Sequence, residues 1–290
     1  MPAGTKGLKM NHDACKICGA RDLHLFKHTA RCGRCGVLAY FPYPAKEELE
    51  PFATPRQERI ARWEKWYEAS AWNNHWNFSA MIQFALSGND SPGYVDILDY
   101  GGGGGQFALV CKSMLPHASI YTTDIDDDAL LPQYAAFNQQ IAHADFAEHK
   151  QLFDIVFLND VLEHVADPLG VLTLLKSKLK ENGRIFIDTP RIFWIYPLLR
   201  LFSKRLYHKL CLGTVNGAHL QLWSKTAFKI VVEKSGLQID KYKQVTEFTR
   251  KPEYYLDLMT LHNPLIRLAG LLYYQNAKLL ARNKILAVLR

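Results

Sequence analysis

One stretch decides the fold of this chain: Ile97-Leu98-Asp99-Tyr100-Gly101-Gly102-Gly103-Gly104-Gly105, followed by Gln106-Phe107-Ala108-Leu109-Val110. Its apolar first part predicts a buried strand of a parallel sheet. The glycines predict a tight turn where the backbone comes close to another group. The residues after them predict the first turns of a helix. A strand, a glycine-rich turn and a helix N-terminus together are typical of a nucleotide-binding site.

Length and composition limit the possible domain organisation and the possible partners of the chain. The chain has 290 residues, of which 48% are hydrophobic, which suits one large domain or a core domain plus a small module. A net charge of +7 permits contact with nucleic acid, phosphorylated substrates or anionic membranes but requires none of them. We find no secretory signal in residues 1–12 and no apolar run of about 18 residues, and we expect a cytoplasmic protein.

Four cysteines lie close together near the N-terminus. Each half of the set is a Cys-x-x-Cys turn followed by glycine, and thirteen residues separate the two turns: Cys15, Cys18, Cys32 and Cys35. This spacing is typical of a zinc ribbon, in which four thiolates close a tetrahedral site. Because a closed site leaves no open position, we expect a structural zinc in a module spanning residues 1–45.

Residues 46–92 predict a helical, aromatic segment. One helical face carries Trp63, Trp66, Tyr67 and Ser70 at the spacing i, i+3, i+4, i+7. We expect this helix to pack on the following domain. The alternative is that Trp72, His75 and Trp76 line a substrate pocket.

Residues 93–290 alternate between strand and helix patterns, which predicts a parallel sheet with helices on both faces. The five glycines fit several registers, including that of a dinucleotide-binding loop. Three acids end the first three strands: Asp99, Asp124 and Asp145. Acids at these places suit an amino group, a ribose hydroxyl pair and an adenine amino group. S-adenosylmethionine carries all three.

The sequence here resembles the class I S-adenosylmethionine-dependent methyltransferases. The resemblance covers residues 93–245 and 283–290, and the segment Asn159–Pro168 looks closest to the branch of quinone and small-molecule methyltransferases. It implies an α/β, Rossmann-like fold with a seven-stranded, mostly parallel sheet. The last strand, Lys284–Leu289, is then antiparallel. It also implies insertions at residues 191–218 and 246–281.

The same resemblance implies a set of cofactor-binding residues, namely Asp99, Gly101, Gly103, Gly105, Asp124, Ile125, Asp145, Phe146 and Asn159. In this set Asp124 binds the ribose, Ile125 packs on adenine, and Asp145 with Phe146 recognises adenine. Gly102 and Gly104 fall where the family tolerates other residues. We therefore expect the glycine loop to be looser than usual without cofactor.

Two histidines are candidates for the general base that an oxygen nucleophile requires, His164 after the fourth strand and His219 after the fifth. A structural role is the alternative for each. In some quinone O-methyltransferases a Glu-x-x-Glu-His segment is associated with a divalent metal. The matching positions here are Asp160, Glu163 and His164, with aspartate in place of the first glutamate.

The leading hypothesis is therefore a methyltransferase acting on a small molecule, a sugar or a lipid-linked intermediate, with O-methylation favoured. The alternatives are an RNA methyltransferase that uses the ribbon to bind nucleic acid, and a non-catalytic scaffold that binds the cofactor. Basic residues form no dense run, so nucleic acid is not expected as a partner. The insertions combine apolar residues with Arg200, Lys204, Arg205 and Lys209, which suits a helical lid or peripheral contact with the inner membrane face.

Overall fold

The computed structural model of the chain describes residues 14–26, 29–43, 55–87, 95–192, 219–247, 264–276 and 282–290. A small antiparallel sheet begins near the N-terminus with β1 (Leu23–Phe26), β2 (Thr29–Cys32) and β3 (Leu38–Tyr40). A long helix, α1 (Arg56–Leu86), leads from it to the larger part of the molecule.

That larger part alternates strands and helices. In chain order its elements are β4 (Asp96–Tyr100), α2 (Gln106–Met114), β5 (Ser119–Thr123), α3 (Pro132–Ala135), β6 (Gln139–Gln140), β7 (Phe153–Asn159), α4 (Pro168–Ser177), β8 (Leu179–Pro190), β9 (Gln221–Leu222), α5 (Lys225–Lys234), β10 (Ile239–Val245), α6 (Pro264–Asn276) and β11 (Lys284–Leu289).

Seven of these strands form one sheet, in the order β10-β11-β8-β7-β4-β5-β6. The pairings of β4, β5, β6, β7 and β8 are parallel, whereas β11 runs antiparallel to both of its neighbours. The predicted Rossmann-like sheet with an antiparallel last strand is thus confirmed. In this arrangement the first residue of β11 lies beside the carboxyl end of β8, where Lys284 pairs with Pro190.

The third predicted strand and the helix before it are displaced from their predicted positions. The sequence pattern predicts a helix over residues 129–139 and a strand over residues 141–144, whereas the helix is only Pro132–Ala135 and the strand is Gln139–Gln140. Pro132 cannot continue a helix from its N-terminal side, because it lacks an N–H group and restricts the residue before it. Ile141 still extends the pairing by donating to the Thr122 carbonyl at 2.8 Å.

Alternation along the strands divides the core between the two faces of the sheet. On one face Ile97, Phe157 and Phe186 pack against α1 and α2, and Phe107 meets Phe157 with ring centroids 4.8 Å apart. On the other face Leu98, Val156 and Ile187 pack towards α4 and α5. The uninterrupted apolar strands of the sequence therefore reflect burial on both sides.

Helix α1 packs on the larger part of the molecule, as predicted. Met81, Ile82 and Ala85 are buried in the same cluster as the strand residues of that face. The alternative, a substrate pocket lined by this helix, is wrong for two of its three residues: His75 is exposed, and Trp76 is 72% exposed. The side chain of Trp72 lies outside the described residues.

The cysteine module shares a sheet with the larger part of the molecule. Its third strand pairs antiparallel with β9, so the small sheet has the order β1-β2-β3-β9. Ile17 and Val37 belong to the same buried cluster as Trp223 and Phe228. The Ser224 hydroxyl donates to the Cys35 carbonyl, and Lys234 donates to the Ile17 carbonyl at 2.7 Å. One continuous core therefore supports both parts.

Most of the two predicted insertions, including Arg200, Lys204, Arg205 and Lys209, lies outside the described residues. Helix α6 belongs to the second insertion. Among the helices that the structure describes, none combines the length and the apolar character needed to cross a membrane.

Ser224 offers a test of how the module is attached. Its hydroxyl caps α5 by accepting from the Ala227 amide at 2.9 Å and also donates to the buried module. We expect Ser224→Ala to lower the free energy of unfolding by about 2 kcal/mol, since both a helix cap and a buried carbonyl lose their partner. Urea unfolding measures this. The control is Ser177→Ala at an exposed helix end, expected within about 0.5 kcal/mol of the wild type. Equal stability of the two variants would contradict the attachment.

Candidate cofactor and catalytic site

Hydrogen bonds that its backbone amides donate to neighbouring elements hold the glycine turn in place. Gly101 donates to the Thr123 carbonyl at 2.8 Å, Gly103 donates to Asp124 Oδ2 at 2.9 Å, and Gly104 donates to the Tyr67 hydroxyl at 3.1 Å. Gly105 begins α2 in the left-handed region, with φ at 87°, which glycine adopts without strain. The turn therefore connects three elements at the carboxyl end of β4.

The structure leaves no room for a side chain at Gly102 or Gly104. A Cβ atom on Gly102 would lie 2.1 Å from Thr122 Oγ1, and one on Gly104 would lie 2.3 Å from the Tyr67 ring. Neither contact is sterically possible without movement. Tolerance at these two positions in the family does not carry over, because in this chain Thr122 and Tyr67 occupy the space.

Asp99 ends β4 as a buried carboxylate, with a residue exposure of 2%. In the described parts of the chain its Oδ2 atom has no hydrogen-bond partner, and the same holds for both polar side-chain atoms of Asn159. Burial, reinforced by the charge of Asp124, raises the pKa of Asp99 to about 7. A buried carboxylate with an open acceptor oxygen, next to the amide of Asn159, fits a ligand with a cationic amino group.

Asp124 follows β5 and already makes two contacts. It accepts from the Gly103 amide through Oδ2 and from the Asp126 amide through Oδ1 at 2.9 Å. Each carboxylate oxygen keeps a second acceptor site, so both remain able to accept from a hydroxyl pair. Burial raises the pKa of Asp124. The next side chain, Ile125, is 54% exposed, which suits a residue predicted to pack on adenine.

The two residues predicted to recognise adenine, Asp145 and Phe146, lie in different environments. Asp145 lies in a 3-10 turn, His143–Asp145, and its side chain is exposed. The Phe146 side chain is 1% exposed and packs on Tyr100 with ring centroids 5.4 Å apart. Phe146 is thus a core residue, and its ring is not available to a ligand.

Helix α1 supplies site residues that sequence reasoning missed. Arg59 forms an ion pair with Asp126 at 2.7 Å. The Trp63 ring lies against Gly103, where an added Cβ atom would be 3.1 Å from it. With Tyr67 they place one helical face over the glycine turn. The sequence did show Trp63 and Tyr67 on one face. It did not show that this face also covers the glycine turn, in addition to packing on the sheet.

The two candidate histidines come together. The rings of His164 and His219 lie 4.7 Å apart between centroids, in an edge-to-face arrangement. Beside them Glu163 is fully buried and accepts from the Thr189 hydroxyl through Oε2 at 2.8 Å. Its Oε1 lies 3.8 Å from His164 Nε2. Burial and the charge of Asp160 raise the pKa of Glu163 well above its usual range.

The predicted divalent-metal set is rearranged. One ligand atom each from Glu163, His164 and His219 lies within 4.8 Å of the others, so these three can hold a metal ion. Asp160 instead binds Lys284, whose Nζ is 2.6 Å from its Oδ1. His219 therefore takes the place in the set that the motif assigned to Asp160, because chain segments distant in sequence meet there.

Lys284 is a buried cation at this edge of the sheet. Its Nζ lies 2.7 Å from Asp188 Oδ2 and 3.9 Å from Glu247 Oε1, in addition to its bond with Asp160. Burial disfavours its charge, but the surrounding carboxylates outweigh burial and raise its pKa well above the usual range. The antiparallel course of β11 brings this lysine to the carboxyl ends of the parallel strands.

The four cysteines also converge. Their sulfur atoms lie within 4.8 Å of one another, with Cys15 and Cys35 3.6 Å apart and Cys18 and Cys32 3.5 Å apart. A tetrahedral zinc with Zn–S bonds of about 2.3 Å needs sulfur separations of about 3.8 Å. The Cys35 amide points at Cys32 Sγ at 3.4 Å, as in turns that support metal-bound thiolates. The residues therefore fit a closed tetrahedral metal site.

Fold and site together define a class I S-adenosylmethionine-dependent methyltransferase. Residues 74–242 match a family model described as a methyltransferase domain. The match spans more than half of the chain, which therefore belongs to this methyltransferase family.

Curated relatives and solved structures agree with that class. The chain is 35% identical over 135 residues to a ubiquinone biosynthesis O-methyltransferase of Glaesserella parasuis, a match that covers 41% of this chain and 56% of that protein. A namesake from Coxiella burnetii is 23% identical over 170 residues, or 53% of this chain and 71% of that protein. The chain thus spans about half the length of the first of these relatives.

Two solved structures share the fold. The plantazolicin methyltransferase BamL, solved with a desmethyl substrate analogue and S-adenosylhomocysteine, has a TM-score of 0.52 at 14% identity, covering 82% of this chain and 91% of that one. An O-methyltransferase family 2 protein from Planctomyces limnophilus, solved with apigenin, has a TM-score of 0.50 at 12% identity, covering 83% and 63%.

The pKa of Asp99 makes cofactor binding depend on pH. Asp99 is predicted to receive the cofactor's ammonium group, which requires the ionised carboxylate. Because the pKa is raised to about 7, the free protein is increasingly protonated below that pH and must lose a proton to bind. We expect the affinity for S-adenosylmethionine to fall by up to about tenfold per pH unit below pH 7.

Calorimetry between about pH 5.5 and 7 measures this, since the cofactor's own amino group titrates only above that range. The control is Asp99→Asn, which should bind weakly and with little pH dependence. The same pH slope in wild type and Asp99→Asn would overturn the assignment.

Proposed function

We propose that this protein is an O-methyltransferase acting on a small-molecule biosynthetic intermediate, with S-adenosylmethionine as methyl donor. The observation that carries the proposal is the pairing of the His164 and His219 rings next to the buried Glu163. Val161, three residues before His164, packs against the glycine turn, since its Cγ2 atom would lie 2.5 Å from a Cβ atom placed on Gly101. A general base is thus next to the place where the cofactor is expected.

We assign the cofactor contacts as follows. Asp99 and Asn159 bind the amino-acid part, since their buried polar atoms lack partners in the residues described. Asp124 binds the ribose hydroxyls, Ile125 covers one side of adenine and Asp145 accepts from the adenine amino group. The backbone of Gly101, Gly103 and Gly105 lets the ligand approach closely.

When bound, the cofactor supplies a methyl group on a sulfonium, which reacts by in-line displacement. Alignment provides much of the rate for such a transfer. A hydroxyl acceptor also has to lose its proton, and His164 accepts it at Nε2 in our proposal. The buried side chain of Glu163 lies next to His164, with its Oε1 3.8 Å from Nε2, and His219 borders the same space. The deprotonated acceptor oxygen would be the nucleophile, and the proton that it loses would be held at His164.

Support for oxygen as the nucleophile comes from the relatives that are named as ubiquinone biosynthesis O-methyltransferases. The family match at residues 74–242 includes the loop with Asp160, Glu163 and His164, where a base is needed. We propose a small-molecule, sugar-linked or lipid-linked acceptor, and no nucleic acid partner.

We also propose that the four N-terminal cysteines hold a structural zinc ion. The support is their convergence to the sulfur separations of a tetrahedral site. We propose three parts for the chain, residues 1–45, 46–92 and 93–290, with β9 of the third part completing the sheet of the first.

Replacing the base tests the function. We expect His164→Gln to lower kcat for a hydroxyl acceptor by about 10²- to 10⁴-fold, because the proton loses its acceptor. The affinity for S-adenosylmethionine should stay within about twofold, since His164 is not among the assigned cofactor contacts. The measurement is a screen of phenols, sugars and amines with methyl-labelled cofactor, followed by kinetics on the best acceptor.

The matched control is His117→Gln, at an exposed position between α2 and β5, which should leave kcat unchanged. Methyl transfer to amines alone, or an unaltered kcat in His164→Gln, would contradict the proposal.

Metal analysis tests the zinc site. We expect about one zinc per chain in the purified protein and its loss in the double variant Cys15→Ser with Cys18→Ser. Protease should then cleave within residues 14–43, because the short module depends on the metal for its fold. Cys111→Ala, in the core near α2, is the control and should retain zinc. A folded wild-type protein without metal would refute this assignment.

A further inference from the structure

The two-residue strand β9 makes contacts on both sides. On one side it pairs with β3 of the cysteine module, where Leu38 lies opposite Leu222 and Tyr40 donates to the Leu220 carbonyl at 2.8 Å. On the other side the amides of Leu220 and Gln221 both donate to the Glu163 carbonyl, at 2.8 and 3.2 Å. β9 thus lies between the module and the loop that carries His164.

The side chain of Gln221 strengthens the second contact. It is 4% exposed, and its Nε2 donates to the Leu162 carbonyl at 2.6 Å and to the Val165 carbonyl at 3.0 Å. A glutamine amide has two N–H donors, and here both are used. With the bonds to Glu163, β9 satisfies three carbonyls within four consecutive residues of this turn.

These bonds hold the backbone segments from which both histidine side chains extend. His164 extends from the turn whose carbonyls flank it, and His219 directly precedes the Leu220 amide. A shift of β9 would move His219 with the chain and would release the two carbonyls that Gln221 binds. Because a reacting geometry tolerates little displacement, even about 1 Å of movement is costly for catalysis.

We propose that Gln221 is a positioning residue for the His164–His219 pair, and that through β9 the folded cysteine module holds this pair in place. The proposal rests on the proposed function for its catalytic consequence, whereas its geometric part rests on the contacts of Gln221 alone. The module then supports the reaction without contacting either substrate.

Gln221→Met tests the residue, because methionine has a similar length but no donor. We expect the imidazole nitrogen shifts of His164 and His219 to move in histidine-labelled protein, and kcat to fall about 10²-fold. The affinity for S-adenosylmethionine should stay within about twofold, since Gln221 does not touch the glycine turn. Gln238→Met, at an exposed position before β10, is the control and should alter none of these.

Unchanged histidine shifts in folded Gln221→Met would overturn the proposal. So would a loss of cofactor affinity as large as the loss of kcat, which would indicate general disruption. The histidine shifts need no acceptor, so they test the positioning even if His164→Gln proves active and the proposed function fails.

Hydrogen exchange on the wild-type protein tests the module without any substitution. Treating the protein with a zinc chelator should remove amide protection from residues 29–40, and we expect residues 161–166 and 220–222 to lose protection with them. The Gly101–Gly105 turn should keep its protection. Loss confined to the module, with residues 161–166 unaffected, would refute the coupling, as would Gln221→Met with wild-type exchange in that loop.

Discussion

The backbone amides of the Gly101–Gly105 turn need acceptors, and the rest of the site depends on where those acceptors come from. The turn has no side chains of its own, so Thr123, Asp124 and Tyr67 supply them from β5, the residue after it, and α1. A change in any of these elements would therefore change the turn. This explains why a helix outside the sheet belongs to the candidate cofactor site.

The antiparallel strand β11 brings a positive charge to the carboxyl edge of the larger sheet, where acidic residues surround it. Only a strand that enters from that edge can place its first residue there, and Lys284 is that residue in β11. It binds Asp160, which directly follows β7, and Asp188, which lies near the carboxyl end of β8. Removing one partner from a buried ion pair leaves an uncompensated charge, so the strand direction and the acids form one unit.

The cysteine module is joined to the same edge through β9. A short edge strand of the module finds its partner in the methyltransferase core, and that partner also binds the loop of Glu163 and His164. Such pairing satisfies backbone groups that an isolated three-stranded sheet would leave open. Attachment of the module and order in the candidate catalytic loop therefore have a common physical basis.

Local signals in the sequence predicted a parallel sheet with helices on both faces, the cysteine cluster and the acids near the strand ends, and the family resemblance implied the antiparallel last strand. Burial on both faces, glycine turns and metal spacing each leave a pattern within a few residues, which is why Asp99, Asp124 and Cys15 could be found from the sequence. The tertiary structure alone decided the rest. Gly102 and Gly104 are confined by Thr122 and Tyr67, the ring of Phe146 is buried against Tyr100, and His219 joins Glu163 and His164 in place of Asp160. Each of these depends on contacts between segments far apart in the chain, and no local pattern records such contacts.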